Sequence, residues 1–326
     1  MCGIIGIYNY NENNVIEETY QNLKSIQHRG KDSHGFVFYN NEFNLIKATK
    51  NIQKPNLNLN NVTRSLAHTK YTTSYYRKKI NGEKDMLNVT QPFKGFNCRL
   101  GEFYLVHNGN IKDLDKVKEL FDIKDKVLND SHMLLKIIEK MELQRWEDIF
   151  NQIMLSIEGS FSIIILTKKE LFCFKDLRGY RPLCFGQNDK GYCIASESIG
   201  LGNYKYVKEI ERGTIVKINN DGLNEDEILV NLNKIQEKKC LFEYIYFLSK
   251  DSIIDDKVKN YRYNFGVELA KKELKVENAI VIGAPMTGIP SGQGFADYLG
   301  YTYKQILVKN RNAGRSFILK NDEERI

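Results

Sequence analysis

The chain begins Met1-Cys2-Gly3-Ile4-Ile5-Gly6-Ile7. A small side chain at position two is the usual condition for removal of the initiator methionine, which would leave Cys2 with an α-amine beside its thiol. With unperturbed pKa values of about 8.5 and 7.7–8.0, the two groups give one residue a nucleophile and a base. Ile4, Ile5 and Ile7 read as a short buried strand that holds this terminus inside a core. The same residues also fit an ordinary first strand with an inert cysteine, so the remainder of the chain has to decide.

The 326 residues leave room for two domains or one large one. An apolar share of 42% and an aromatic share of 11% suit a soluble protein with a real core. The net charge of +7 is spread over a Lys-, Asn- and Ile-rich chain without a basic block interleaved with aromatics, so no nucleic-acid partner is expected. Cys2, Cys98, Cys173, Cys184, Cys193 and Cys240 form no C-x-x-C and no zinc-like spacing with the five histidines. That usage predicts no metal site and a reducing compartment. The start lacks a basic n-region, and the longest clean apolar run, Phe161 to Leu166, is too short for a bilayer. A cytoplasmic protein with no membrane partner is the expectation.

Apolar spacing predicts a helix over Val15 to Gln27 with Gly30 as its stop, then strands over Gly35 to Tyr39 and Ser65 to Tyr71. Residues 51 to 63 read as a surface loop, and a polar turn follows Tyr71 through Lys84. Phe103 to Val106 reads as a strand running into His107-Asn108-Gly109-Asn110, a turn signal. Helices are predicted over Leu114 to Phe121, Asp130 to Met141 and Trp146 to Ile157. Strands at Phe161 to Leu166, Leu171 to Phe174, Pro182 to Phe185, Tyr192 to Ala195 and Thr214 to Ile218 have the short spacing of antiparallel sheet. Residues 219 to 234 read as a boundary. Beyond them, helices over Val258 to Leu274 and Ile289 to Leu299 alternate with a buried strand over Ala279 to Gly283 and another over Lys304 to Val308. That order predicts the start of a parallel sheet.

Ordered motifs then accumulate: terminal Cys-Gly-Ile, Gln27-His28-Arg29-Gly30-Lys31-Asp32-Ser33-His34-Gly35, His68-Thr69-Lys70-Tyr71-Thr72-Thr73-Ser74, Gln91-Pro92-Phe93 and His107-Asn108-Gly109-Asn110. With Asp176-Leu177-Arg178-Gly179-Tyr180-Arg181-Pro182-Leu183 and Ala195-Ser196-Glu197-Ser198, they resemble the class II, N-terminal-nucleophile glutamine amidotransferases. Cys240 to Phe247 and the stretch from Lys309 to Ile318 resemble, within that class, the amidophosphoribosyltransferase family. The resemblance covers nearly the whole chain. It implies an α+β fold: a four-layer αββα glutaminase domain over residues 2–230, then a partial α/β phosphoribosyltransferase-type domain over 238–326.

The resemblance also implies roles. Cys2 is the nucleophile, and Asn108 and Gly109 form the oxyanion hole. Arg29, Lys70 and Asp130 hold glutamine, Arg29 in a supporting position beside the nucleophile. An isolated Asn-Gly is more often a plain β-turn, Asp130 also fits a helix N-cap, and the histidines at 28, 68 and 107 also fit structural roles. Lys70 stands where the family has arginine. Lysine keeps the charge but loses the planar fork, so glutamine binding is expected to be weaker by about 1–3 kcal/mol, with Arg77 near enough in sequence to compensate.

The second half departs further. Val281 to Gly288 resembles the family's first transferase strand and loop, with Met286 in place of an acidic or polar residue, and Asn312-Ala313 replaces Tyr-Val in the segment matching a closing loop. The family's Asp-Asp-Ser and Gly-Thr-Thr loop for ribose and phosphate has no match; Asp255-Asp256-Lys257 is not read as following a strand and lacks the glycine. Cys240 falls where some members place one iron–sulfur ligand, but no cluster is expected. The expectations are therefore glutamine as substrate, no cofactor in this chain, and Mg2+ and phosphoribosyl diphosphate only with a completed transferase domain. An open sheet edge favours a homo-oligomer. The rival is a non-catalytic remnant that binds glutamine or a partner chain.

Overall fold

On the first strand Ile5 and Ile7 face one way and Ile4 and Tyr8 the other, and all four are fully buried. A strand buried on both faces requires a layer on each side. The structure, a computed structural model, describes residues 2–10, 14–72, 80–228 and 231–308. Arg77, Asn312 and the 309–326 segment lie outside the described residues. The chain divides into two units, 1–239 and 240–326.

The first unit begins with β1 (Gly3–Asn9), α1 (Ile16–Ser25), β2 (Ser33–Tyr39), β3 (Phe43–Thr49), β4 (Arg64–Lys70), α2 (Gly82–Asn88) and β5 (Phe93–Asn97). It continues with β6 (Gly101–Ile111), α3 (Leu114–Leu120), α4 (Asp130–Lys140), α5 (Trp146–Ser156), β7 (Gly159–Thr167) and β8 (Leu171–Lys175). The last strands are β9 (Cys184–Gln187), β10 (Gly191–Ala195), β11 (Lys205–Glu209), β12 (Thr214–Asn219) and β13 (Gly222–Glu227). They form two antiparallel sheets, ordered β11-β9-β10-β1-β4-β2-β3 and β13-β12-β8-β7-β6-β5.

The period-two alternation sorts the core into three slabs. Ile4, Tyr8, Val37 and Leu66 meet Tyr104, Val106, Ile164 and Leu166 between the sheets. Ile5, Ile7, Phe36 and Phe38 pack under Leu23 and Ile26. Phe103, Leu105, Ile163 and Ile165 pack under Leu134, Ile137, Ile149 and Phe150 of α4 and α5. The result is the four-layer αββα arrangement.

Several local readings are corrected. His107 to Asn110 is not a turn: β6 runs on to Ile111, with Asn108 opposite Ser162 on β7. An Asn-Gly pair favours a turn only where no neighbouring strand captures it, and β7 does so here. Strands β3, β5 and β11 and helix α2 are not anticipated, and β13 (six residues) lies within the stretch read as a boundary. Its Gly-Leu-Asn-Glu-Asp-Glu composition is polar because β13 is an edge strand with only β12 beside it.

The second unit carries β14 (Ile253–Ile254), β15 (Asp256–Lys257), α6 (Val258–Ala270), β16 (Ile280–Val281), α7 (Gly288–Leu299) and β17 (Thr302–Tyr303). β16 and β17 pair in parallel with α7 between them, a βαβ step. Ile280 is 49% exposed, so the strand expected to be buried has no covering layer among the described residues. The predicted strand over Lys304 to Val308 is replaced by the shorter β17, just before it. Asp255 does follow a strand, as the tip of the β14–β15 hairpin, and Asp256 accepts hydrogen bonds from Asn260 Nδ2 at 2.9 Å. That is a hairpin and helix start, not a phosphate loop.

Gly35 on β2 lets the two sheets close on each other, because a Cβ there would collide with Gln91 O on the approach to β5. Gly35→Ala is expected to cost about 1–3 kcal/mol, the usual price of overpacking. A lowered urea midpoint with unchanged slope checks it.

Candidate active site

Cys2 immediately precedes β1, the middle strand of its sheet, while Asn108 and Gly109 lie near the end of β6 in the facing sheet. The sheets meet at these residues. Cys2 N donates to Asn108 Oδ1 at 3.1 Å, and Cys2 Sγ lies 3.9 Å from Tyr71 O. When Met1 is removed, that same nitrogen is the α-amine.

Asn108 is fully buried, and its Nδ2 has no hydrogen-bond partner among the described residues. An amide donor left unpaired in a core is costly, so its place beside a nucleophile is informative. Gly109 offers a second donor. Its pair across β7 is Phe161, whose N–H donates to Asp176 Oδ2 and whose carbonyl accepts from Asp176 N. Phe161 therefore bonds away from β6, and the Gly109–Phe161 pair is of the non-hydrogen-bonded kind. The Gly109 N–H points instead toward the β5 side, beyond the last β5 pair, Phe93 with Leu105.

These groups line a cavity of about 550 Å³ that also includes Lys70, Tyr71, Gln91, Asp130 and Arg181. Lys70 ends β4 and is 8% exposed, and no ion pair or hydrogen bond among the described residues engages its ammonium. Asp130 opens α4 but is not its N-cap. Asn129 holds that place, its side chain accepting from His132 N at 2.8 Å, and this leaves the Asp130 carboxylate at the cavity wall.

Arg29 is not among the lining residues, which corrects its placement with the glutamine contacts. It is fully buried; its Nε donates to Cys2 O at 2.9 Å and its guanidinium pairs with Glu197 at 2.7 Å. His28 Nε2 lies 2.8 Å from the same carboxylate oxygen. Arg29 thus fixes the backbone of Cys2 from behind. Among the residues with no role assigned from the sequence, the cavity adds Arg181 and Gln91, both inside motifs already quoted, and Ser131. Buried polar side chains such as these carry no periodic signal. No group of three His, Cys, Asp or Glu side chains among the described residues could hold a metal.

His107 and His68 are fully buried neighbours of this wall. Burial pushes His107 down to about 4, against the pull of Asp130, with Arg181 and Lys70 adding to the drop. Burial and the Lys70 charge hold His68 well below the usual imidazole range. Both rings are neutral at physiological pH, and His107 Nδ1 lies 2.9 Å from Ser131 Oγ.

A nucleophile at a strand start, two unused donors facing it and a four-layer αββα fold define a class II, N-terminal-nucleophile glutamine amidotransferase domain. A glutamine amidotransferase domain family matches residues 77–202. Amidophosphoribosyltransferases of Synechocystis and Methanocaldococcus jannaschii are 30% and 28% identical to the chain, covering 97% and 100% of it. Over nearly its whole length the chain is similar to the amidophosphoribosyltransferases. It spans 65% and 72% of the length of those two relatives. The glutamine phosphoribosylpyrophosphate amidotransferase of B. subtilis superposes with a TM-score of 0.81 at 27% identity, over 99% of this chain and 70% of that one.

The depressed His107 pKa sets a pH dependence. Between pH 6.5 and about 4 the folded state binds fewer protons than the unfolded chain. Stability is then complete above pH 6.5 and is lost as pH falls to about 4, by roughly 3 kcal/mol for a shift of this size. Melting temperatures across that window should fall more steeply for the wild type than for His107→Gln.

Proposed function

We propose that the first unit hydrolyses glutamine to glutamate and ammonia through Cys2. The observation that carries this reading is the buried, unpartnered Asn108 Nδ2 on the same side chain whose Oδ1 receives the Cys2 nitrogen. An amide held by its oxygen presents its nitrogen as an oriented donor, and the Gly109 N–H supplies the second.

In this reading the α-amine takes the thiol proton, and Cys2 Sγ attacks the glutamine carboxamide carbon. The oxyanion receives Asn108 Nδ2 and Gly109 N–H. The proton passes to the leaving nitrogen, the C–N bond breaks, and ammonia departs from a thioester. A water, deprotonated by the same amine, attacks the thioester; the C–S bond breaks and the thiol is restored. The Lys70 ammonium receives the substrate α-carboxylate and the Asp130 carboxylate its α-amine, a charge pair matched to a free amino acid. Arg29 acts only through the Cys2 backbone.

We place this chemistry in the first step of purine synthesis, as the ammonia-releasing half of an amidophosphoribosyltransferase. Transfer to phosphoribosyl diphosphate, with Mg2+, requires a ribose- and diphosphate-binding loop that residues 1–326 do not match. A cytoplasmic setting suits the thiol chemistry. Among the described residues no helix is long and apolar enough to cross a membrane. Assembly of several copies belongs to the same proposal and would be read from the mass in solution.

Glutamate release from glutamine is expected in the Met-processed chain and absent in Cys2→Ala; equal release by both would overturn the reading. Asn108→Ala should lower kcat by about 10²–10³, the usual loss for one oxyanion donor. Lys70→Arg should lower KM for glutamine by about fivefold or more, because the guanidinium fork restores a two-point clamp. An unchanged KM would remove Lys70 from the carboxylate site.

A further inference from the structure

We propose that Gln91 is a positioning residue for the oxyanion hole, its side-chain amide standing in for a missing stretch of β-strand. The proposal rests on the glutaminase reading. On β6, alternate residues present their backbone groups toward β5. Leu105 meets Phe93 there, and the next pair in register would set His107 against residue 91. The β5 ladder ends at Phe93, so no residue of that strand stands opposite His107. The Gln91 side chain completes it instead: Oε1 accepts from His107 N at 2.6 Å and Nε2 donates to His107 O at 3.2 Å. Nε2 also donates to Ser131 Oγ at 3.0 Å.

This places a rigid, two-bonded clamp on the residue immediately before Asn108. Gln91 is 1% exposed and its amide makes three bonds, so its orientation is fixed. Ser131 ties the clamp to α4, where the neighbouring Asp130 N-terminal to it faces the cavity; Ser131 N donates to Asp130 Oδ1 at 2.9 Å. The next group along this edge of β6, the Gly109 N–H, meets no strand. A backbone strand continued four residues beyond Phe93, to position 89, would cover that N–H, whereas the side-chain clamp stops at His107. Gln91 therefore both stiffens the strand end and leaves its last donor facing the cavity.

The test compares two modifications at Cys2, read by mass at the Cys2 peptide, alongside steady-state glutamine kinetics. Labelling by the diazoketone analogue of glutamine needs a polarised carbonyl, whereas alkylation by iodoacetamide needs only the thiolate. For Gln91→Met, diazoketone labelling and kcat are expected to fall by about 10–100-fold, a loss of the size seen for a misplaced oxyanion donor. KM and the iodoacetamide rate are expected to stay within about threefold, since the substrate clamps and the thiol are untouched. Gln91→Glu, which keeps length and the acceptor but sets a carboxylate against His107 O, is expected to show the same split and covers the case in which Gln91→Met does not fold. Parallel loss of both labelling rates would reduce Gln91 to a structural role, and a raised KM with retained kcat would make it a substrate contact; either overturns the proposal. Wild-type protein that reacts with iodoacetamide at Cys2 but not with the diazoketone would instead overturn the glutaminase reading itself.

Discussion

The site depends on one hydrogen bond, from the Cys2 nitrogen to Asn108 Oδ1 at 3.1 Å. It joins the start of the middle strand of one sheet to the end of a strand in the other, at the edge of an apolar slab that neither residue shares. The bond has two consequences. It holds the nitrogen close to the thiol of its own residue, and it turns the Asn108 amide so that Nδ2 faces away, unpaired. Everything around it restricts movement: Arg29 grips the Cys2 carbonyl from behind, and β7 captures β6 beyond Asn108. Preorganisation of this kind is where electrostatic catalysis gains most, because donors need not reorient as charge develops.

Charge placement follows the same economy. Arg29 is spent inside the fold, on Glu197 and a carbonyl, and takes no part in lining the cavity. Lys70 and Asp130 remain at its wall with opposite charges, beside the histidines that burial keeps neutral. The cavity can therefore receive a zwitterion without a proton-accepting imidazole competing with the terminal amine. In the proposed reaction the amine is the base by its position beside the thiol.

Much of this was legible in the sequence, and the failures have physical causes. Continuous apolar runs such as Phe161 to Leu166 and period-3.6 runs such as Trp146 to Ile157 declare themselves because burial forces them. Strand β13 did not, being a polar edge. His107 to Asn110 misled because a local turn preference was overridden by pairing with β7, a contact between residues about fifty positions apart. Cys2, Lys70, Asn108, Gly109 and Asp130 were recognised as an ordered set and do surround one cavity, whereas Arg29 stands behind it. The use of a glutamine side chain as a strand surrogate has no sequence signature. In the second unit, two-residue strands lacked the side-chain burial that the apolar run Ala279 to Gly283 had suggested.

The central claim is that the base in this chemistry is the α-amine of Cys2, exposed by loss of Met1. The most direct measurement compares glutamate release by two preparations of the same chain, one processed and one retaining Met1, each defined by intact mass. The account predicts release in proportion to the processed fraction and none from the Met1-bearing form, whose Cys2 nitrogen is an amide without a basic lone pair. Equal release by the two preparations would contradict it.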